Sequence, residues 1–285
     1  MSPGTAIAIG LELCSTTLVN VAYVREHEAA AALPALSLRR PLQSLRLLLT
    51  DRSWLAGFAL ETGGFALYAG ALALASLALV QSIGAGGMGL LAYASARLTG
   101  RRVTRLELAG SLIAVIGLVA LALSLTGSGT GGGHGSLPLI LVWLGATALA
   151  ALLVGLYGKR LVGAAAAYGI AGGLLFSIGD ICTKLTTQGG TRFAFAIGLV
   201  GGYTLGTSLL QLGYQRGGAL TVAGVATLLT NALPIAAGTV VLNEPVPSGA
   251  LGLLRVFAFA AVTVGAILLA RPKGGADATE RGASA

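Results

Sequence analysis

The sequence predicts an all-α membrane protein with about nine transmembrane helices, and three observations support this fold class. Of the 285 residues, 55% are hydrophobic and only 10% are charged, whereas soluble domains carry charges at about 25% of positions. Apolar runs recur that reach the roughly 20 residues needed to cross a bilayer core. Most of the 44 glycines lie within these runs, which favours helices that pack closely in lipid through small residues.

The first span is predicted at residues 5–24, with Glu12 as its only charged residue. No basic segment precedes it, so we expect a retained helix and not a cleaved signal peptide. Residues 25–53 carry too many charges for a span and are predicted to form a basic loop at the membrane interface. Leu42, Leu45 and Leu49 share one helical face there, which predicts a short interfacial helix. A tenth span through residues 31–50 is the alternative, although it places Arg39 and Arg40 in hydrocarbon.

The segment 54–96 contains no lysine or arginine and is roughly twice the length of one span. It is therefore predicted to form a hairpin of two spans, 54–72 and 77–96, with the turn near residues 71–76. The further spans are predicted at 106–125, 137–157, 161–185, 193–212, 219–242 and 249–270.

The positive charges predict the orientation of these spans. With the N-terminus outside and the C-terminus inside, fifteen of the eighteen lysines and arginines fall in cytoplasmic segments, as the positive-inside rule expects. Lys184 and Arg192 fall outside, and Arg255 falls within a span. The predicted location is the inner (plasma) membrane, with residues 271–285 as a disordered cytoplasmic tail.

Several function classes are disfavoured by the same residues. The net charge of +8 is spread over short loops between apolar runs, so the expected partner is the lipid bilayer and no nucleic acid. Cys14 and Cys182 lie inside apolar segments without a partner spacing, which indicates neither a disulfide framework nor a zinc site. His27 and His134 are the only histidines. With no catalytic or phosphate-binding motif, we expect neither an enzyme nor a bound cofactor.

An internal repeat is predicted from similar segments in the two halves. Residues 178–184 are similar to residues 13–20, and each segment begins a group of four spans, in 1–126 and in 161–270. A glycine-rich loop and one linker helix lie between them, in 127–160. One linker span places the two quartets in opposite orientation, an arrangement that positions a substrate site near the bilayer midplane.

These segments carry a family resemblance. Residues 6–18 resemble the first helix of the small multidrug resistance exporters, and residues 97–102 followed by span 106–125 resemble the end of that four-helix unit. The chain as a whole is similar to a fused, EamA-like member of the drug/metabolite transporter (DMT) superfamily. Within it, residues 54–61, Tyr68, residues 79–81 and the long basic loop resemble the nine-helix branch of NIPA-like magnesium transporters.

The resemblance implies a secondary transporter. We expect it to be a monomer or homodimer. Its substrate would be a small molecule, either a metabolite or an organic cation, and protons are a further expected partner. Two positions depart from the pattern. Asn20 stands where the small exporters commonly have lysine, and Phe176 stands where the second half would carry its carboxylate, although Lys184 is kept. A symmetric site with two carboxylates is therefore not expected.

Glu12 is the foremost candidate for function. Thr16 and Asn20 follow at i+4 and i+8 and complete a polar stripe on an apolar helix. A carboxyl group within a span is costly unless it meets water, a cation or a donor, so we expect Glu12 to exchange a proton for substrate. The alternative is a structural carboxylate satisfied by the Thr16 hydroxyl.

Other intramembrane polar residues extend this predicted path. Glu61 is expected to act as a gate or cation relay, or else as an interfacial anchor. Asp180 and Lys184 are spaced for an ion pair with each other, which favours a structural role, and Arg255 is expected to be structural, snorkelling to the surface or reaching Glu244. The predicted substrate or ion path comprises Glu12, Thr16, Asn20, Glu61, Tyr68, Gln81, Ser82, Asp180, Lys184, Thr227 and Asn231.

Two alternatives to a metabolite or organic-cation carrier stay open from the sequence. One is a NIPA-like magnesium or divalent-cation transporter that uses Glu12, Glu61 and Asp180, although these are few oxygen ligands for a hard cation. The other is a membrane subunit that does not transport and binds a partner through its basic loop or tail.

Overall fold

The computed structural model of the chain describes residues 3–37, 40–75, 77–84, 104–124, 135–243 and 249–270. Most residues in these ranges are helical, and none of them forms a β-strand. Six helices are long and apolar enough to cross a membrane: Gly4–Ala32, Arg52–Leu74, Leu137–Val162, Ala164–Thr187, Gly190–Tyr214 and Ala219–Val240. The all-α membrane fold is thus confirmed. The count of nine spans stays a prediction.

The first helix, α1 (Pro3–Ala32), is longer than predicted. The predicted span ends at residue 24, and the segment from Arg25 was expected to begin the basic loop. The helix instead continues because Glu26 and Ala30 are buried against the protein and the alanines of residues 29–32 have high helix propensity. At about 45 Å, α1 is longer than the roughly 30 Å hydrocarbon core, so its last turns can reach the interfacial region.

The short helix predicted within residues 25–53 is present as α2 (Pro41–Thr50). Leu42, Leu45 and Leu49 are exposed on it, as expected for an apolar face that lies on lipid. The tenth span through residues 31–50 is not formed, since residues 33–37 are not helical and α2 is too short to cross a bilayer.

The hairpin predicted over residues 54–96 begins with α3 (Arg52–Leu74), whose first turn is capped by Asp51 Oδ1 accepting from the Trp54 backbone N–H at 2.7 Å. The helix ends where Ala75 becomes extended, and α4 (Leu77–Gly84) follows. The predicted turn near 71–76 therefore coincides with a break between two helices. The rest of the predicted span 77–96 lies outside the described residues.

The remaining helices follow the predicted spans closely. They are α5 (Arg105–Ser124), α6 (Leu137–Leu153, continuing through a π-helical turn Val154–Gly158 to Lys159–Val162), α7 (Ala164–Thr187), α8 (Ala196–Tyr214), α9 (Ala219–Val240) and α10 (Ala250–Ala270). A short 3₁₀ turn, Gly190–Phe195, precedes α8. Gly163, at a φ of +82°, separates α6 from α7.

Helices α7 and α9 form the centre of the molecule and are buried along most of their length, whereas α6 exposes most of its apolar surface. Small residues permit close approach at this centre. A Cβ added at Gly173 of α7 would lie 2.8 Å from Ala226 Cα of α9, and one added at Gly202 of α8 would lie 2.8 Å from the Gly179 backbone N. This packing is typical of helices that associate in lipid.

Candidate functional site

A cavity of about 310 Å³ lies between α1, α3, α4, α7, α8 and α9. Its polar lining consists of Glu12, Ser15, Thr16, Asn20, Glu61, Thr62, Gln81, Asp180, Thr204, Thr207, Thr227, Thr230 and Asn231, together with the hydroxyl-bearing rings of Tyr23, Tyr68 and Tyr203. Neither lysine, arginine nor histidine borders it within the described ranges. The cavity therefore combines a largely apolar wall with polar groups, and the charged side chains among its described lining residues are all acidic.

The structure brings together nine of the eleven residues predicted for the path. Those that line the cavity are Glu12, Thr16, Asn20, Glu61, Tyr68, Gln81, Asp180, Thr227 and Asn231. Lys184 is not among the lining residues, and the Ser82 side chain lies outside the described part of the structure. The position of these residues is thus established, whereas their role in transport stays a prediction.

Glu12 has one satisfied and one unsatisfied carboxyl oxygen. Its side chain is only 4% exposed, and the Thr16 hydroxyl donates to Oε1 at 3.0 Å. Oε2 is buried without a hydrogen-bond partner in the described part of the chain. The structural alternative, in which Thr16 satisfies the carboxyl group, accounts for only one of the two oxygens.

The absence of a side chain at Gly84 leaves room beside Glu12. A Cβ at this position of α4 would lie 2.8 Å from Glu12 Oε1 and 3.1 Å from Asn231 Oδ1. Asn231 donates through Nδ2 to the Thr227 carbonyl at 2.7 Å, so its Oδ1 is the atom directed toward this space. Three helices, α1, α4 and α9, thus converge on the Glu12 carboxyl group.

Asp180 supplies a second buried carboxylate from the other half of the chain. The Tyr203 hydroxyl donates to its Oδ1 at 2.5 Å, and Tyr68 and Gln81 lie beside the same carboxylate. Gln81 Nε2 also donates to the Tyr68 hydroxyl at 2.7 Å. Phe176, at the position where the family pattern has a carboxylate, lines the cavity, and Asp180 provides the acidic group one turn later.

Lys184 was predicted to pair with Asp180 on its own helix, and the structure shows hydrogen bonds from Lys184 to the end of another helix, α3. Its Nζ donates to the carbonyls of Leu72 at 2.9 Å and Ala75 at 2.8 Å, at the break between α3 and α4. Asp180 takes its hydrogen bond from Tyr203 of α8. Both charged groups therefore have partners on other helices, although Asp180 Oδ2 is buried without a hydrogen-bond partner in the described part of the chain. The ion pair between them stays a prediction.

Aromatic side chains form much of the apolar wall. Tyr203 is central: its ring centroid lies 4.8 Å from that of Phe65 and 5.7 Å from that of Phe176. Six aromatic residues line the cavity, namely Tyr23, Phe58, Phe65, Tyr68, Phe176 and Tyr203. Only Tyr68 was predicted. Single aromatic residues in apolar spans carry no sequence signal that separates a cavity wall from a lipid-facing surface.

Glu26 was not predicted from the sequence as a site residue, because residues 25–53 were expected to form the basic loop. It is fully buried, and its carboxyl group lies within hydrogen-bonding reach of Glu61. The signal was present in the sequence: the stripe of Glu12, Thr16 and Asn20 continues at helical spacing through Tyr23 to Glu26.

Arg255 is buried in the helical packing, so it does not snorkel to the surface as one alternative predicted. Its Nη1 donates to the Thr239 hydroxyl at 3.0 Å, and its Nε donates to the Ser124 hydroxyl at 3.4 Å. The predicted contact with Glu244 lies outside the described residues.

The predicted metal-ligand set, Glu12, Glu61 and Asp180, borders one cavity. Nevertheless, among the residues that the structure describes, no three His, Cys, Asp or Glu side chains are close enough together to hold a metal ion.

Comparison of the chain with family models, with curated proteins and with solved structures finds no match. The functional assignment therefore rests on the geometry of the cavity.

Proposed function

We propose that this chain is a multi-pass secondary transporter of the drug/metabolite transporter type, which moves a small organic cation by alternating access in exchange for a proton held at Glu12. The observation that carries this proposal is the cavity within the membrane helices, which combines buried carboxyl groups from α1 and α7 with aromatic walls. Its volume of about 310 Å³ is at the lower end of the range for small-molecule sites, about 300–1,000 Å³.

The lining supports a cationic organic substrate. Glu12 and Asp180 offer negative charge in a space without a basic side chain among its described lining residues. The rings of Phe65, Phe176 and Tyr203 form a wall whose faces attract a desolvated ammonium group. A metabolite that carried a net negative charge would meet only repulsion from these carboxylates.

Glu12 is the group best placed to couple substrate to protons. Its free Oε2 and its position beside Gly84 leave the carboxyl group open to a ligand. A bound cation stabilises the carboxylate, and a proton replaces that charge when the cation leaves. One carboxyl group can thus serve two ligands in turn, which is the requirement for exchange.

The finer topology belongs to the same proposal. We infer nine spans in two inverted quartets around one linker helix, in the inner membrane with the N-terminus outside. The cavity supports this arrangement because α1, α3 and α4 line it from one half of the sequence, and α7, α8 and α9 line it from the other.

The divalent-cation alternative is less well supported, because no three His, Cys, Asp or Glu side chains of the described residues lie close enough together to hold one ion. Magnesium takes oxygen ligands in near-octahedral geometry, and aromatic rings, which occupy much of this wall, do not provide them. The alternative of a subunit that does not transport leaves buried, incompletely bonded carboxyl groups without a role.

A proteoliposome assay tests the proposal. Liposomes with an acidic interior and an alkaline exterior should accumulate phenyltrimethylammonium through the wild-type protein. Glu12→Gln should lower this accumulation to the level of empty liposomes, whereas Glu28→Gln should not, because Glu28 is exposed on the same helix. Full proton-driven accumulation by Glu12→Gln would remove Glu12 from the mechanism, and uptake of magnesium without uptake of the ammonium ion would favour the divalent-cation alternative.

A further inference from the structure

Glu26 and Glu61 form a carboxyl pair that the proposed exchange at Glu12 does not use. Glu26 lies about 21 Å from Glu12 along the axis of α1, at a rise of about 1.5 Å per residue. Its side chain is 0% exposed, and its carboxyl group lies within hydrogen-bonding reach of that of Glu61 on α3. Gln211 of α8 donates through Nε2 to Glu26 Oε2. Three helices thus enclose the pair.

The surroundings offer little to balance two negative charges. Among the described residues, the titratable groups near both carboxyl groups are Tyr23 of α1 and Tyr214 of α8. The ring of His27 on α1 meets the Tyr214 ring edge to face, with centroids 5.5 Å apart. In the ranges that the structure describes, neither carboxyl group is paired with a lysine or an arginine. Two ionised carboxylates at this separation would repel each other strongly in a buried setting.

Several buried oxygen atoms at the pair provide a second and independent observation. Glu26 Oε1, Glu61 Oε2, Gln211 Oε1 and Tyr214 Oη have no hydrogen-bond partner among the described residues. Gln211 and Tyr214 are only 1% and 2% exposed, so their side chains are held at this place by the fold. Buried polar atoms are nearly always satisfied in proteins. The Tyr214 hydroxyl can itself donate, whereas the carboxylate oxygens of Glu26 and Glu61 and the amide oxygen of Gln211 can only accept, so they require a hydrogen atom or a small positive ligand.

We propose that Glu26 and Glu61 form a second proton-binding site, which holds one proton shared between the two carboxyl groups at the wall of the cavity. The shared proton removes one of the two negative charges and supplies the hydrogen atom for a bond between the groups, as in other carboxyl dyads. Glu61 also borders the cavity, so the proton exchanges between the pair and the same space that Glu12 faces. The site is occupied at equilibrium without substrate and is therefore independent of the proposed transport.

Infrared difference spectroscopy of the purified full-length protein in detergent tests this site. Spectra recorded across a pH titration should contain a carbonyl band of a protonated carboxylic acid that shifts in D₂O. Glu26→Gln and Glu61→Gln should each change the frequency of that same band and the pH at which it titrates, because each variant leaves one carboxyl group without its partner. The double variant should lack the band. Glu28→Gln, which removes an exposed carboxyl group from the same helix, should leave it unchanged.

Distinct results would overturn the inference. Bands that respond to only one of the two variants would show two independent carboxyl groups and no shared proton. Loss of the band on replacing choline by sodium at constant pH would show that a metal cation occupies the site. Size-exclusion chromatography identifies a variant that fails to fold. If Glu26→Gln fails to fold, Glu26→Asp takes its place, since the shorter side chain keeps the carboxyl group but moves it away from Glu61 and should shift the same band. None of these results depends on whether Glu12→Gln abolishes transport.

Discussion

At the residue scale, Tyr203 belongs to the aromatic wall of the cavity and also donates a hydrogen bond to the Asp180 carboxylate. Its hydroxyl donates to Asp180 at 2.5 Å, while its ring packs against Phe65 and Phe176. Tyr203→Phe keeps the ring and removes the donor. Because a hydrogen bond to a charged group is worth about 1.5–3 kcal/mol, we expect a measurable loss of thermal stability in detergent.

Tyr157→Phe is the matched control, since Tyr157 is 61% exposed and should tolerate the loss of its hydroxyl. Equal melting temperatures for Tyr203→Phe and the wild type would show that Tyr203 does not hold Asp180.

Substitution of Gly84 tests whether the cation binds in the space beside Glu12. A methyl group at this position would lie 2.8 Å from Glu12 Oε1, so Gly84→Ala should displace the carboxyl group and weaken binding of phenyltrimethylammonium. If the displacement removes about 1.4 kcal/mol of binding free energy, the dissociation constant rises about tenfold. Isothermal titration calorimetry measures it.

Gly63→Ala makes the same change on α3 where nothing lies within 4 Å of the added atom. It should leave the affinity unchanged. If both variants bind like the wild type, the cavity at Gly84 is not where the cation sits.

At the element scale, a lysine from one half of the chain stabilises the helix break in the other half. Lys184 donates to the Leu72 and Ala75 carbonyls at the end of α3, and a cation is favourable at a helix C-terminus. This explains why no proline or polar cluster is needed at the turn: the stabilising charge comes from α7.

Replacing this lysine should therefore destabilise the hairpin of α3 and α4. Lys184→Met keeps the length of the side chain but removes both hydrogen bonds, and a hydrogen bond from a charged donor is worth about 1.5–3 kcal/mol. We expect a lowered unfolding midpoint in a thermal scan, with partial recovery in Lys184→Gln, which restores a donor. Indistinguishable midpoints for Lys184→Met and the wild type would contradict this role.

At the scale of the whole molecule, the hydropathy of the sequence was sufficient for the fold class and for most helix positions. Spans such as 219–242 agree with helix α9 (Ala219–Val240) because apolar length and charged boundaries determine where a helix can cross lipid. The end of α1 was placed too early, since charges mark a boundary only when they are exposed. Arg25 and Glu28 are exposed, but Glu26 between them faces inward.

The candidate site was predictable only in part. Intramembrane polar residues such as Glu12 and Asn231 are costly in lipid, so their inward orientation follows from their chemistry alone. The contacts of Asp180 with Tyr203 and of Lys184 with the Leu72 and Ala75 carbonyls did not follow from the sequence, because local spacing relates only residues of the same helix. The aromatic wall and Gly84 depend on tertiary packing, which hydropathy does not describe.

The proposed function requires that the cavity binds an organic cation in exchange for a proton held at Glu12. The most direct test adds phenyltrimethylammonium to weakly buffered, detergent-solubilised protein and measures proton release with a pH indicator. We predict release on binding in the wild type and in Glu28→Gln, and its loss in Glu12→Gln. Binding without release in the wild type, or release that persists in Glu12→Gln, would contradict the claim.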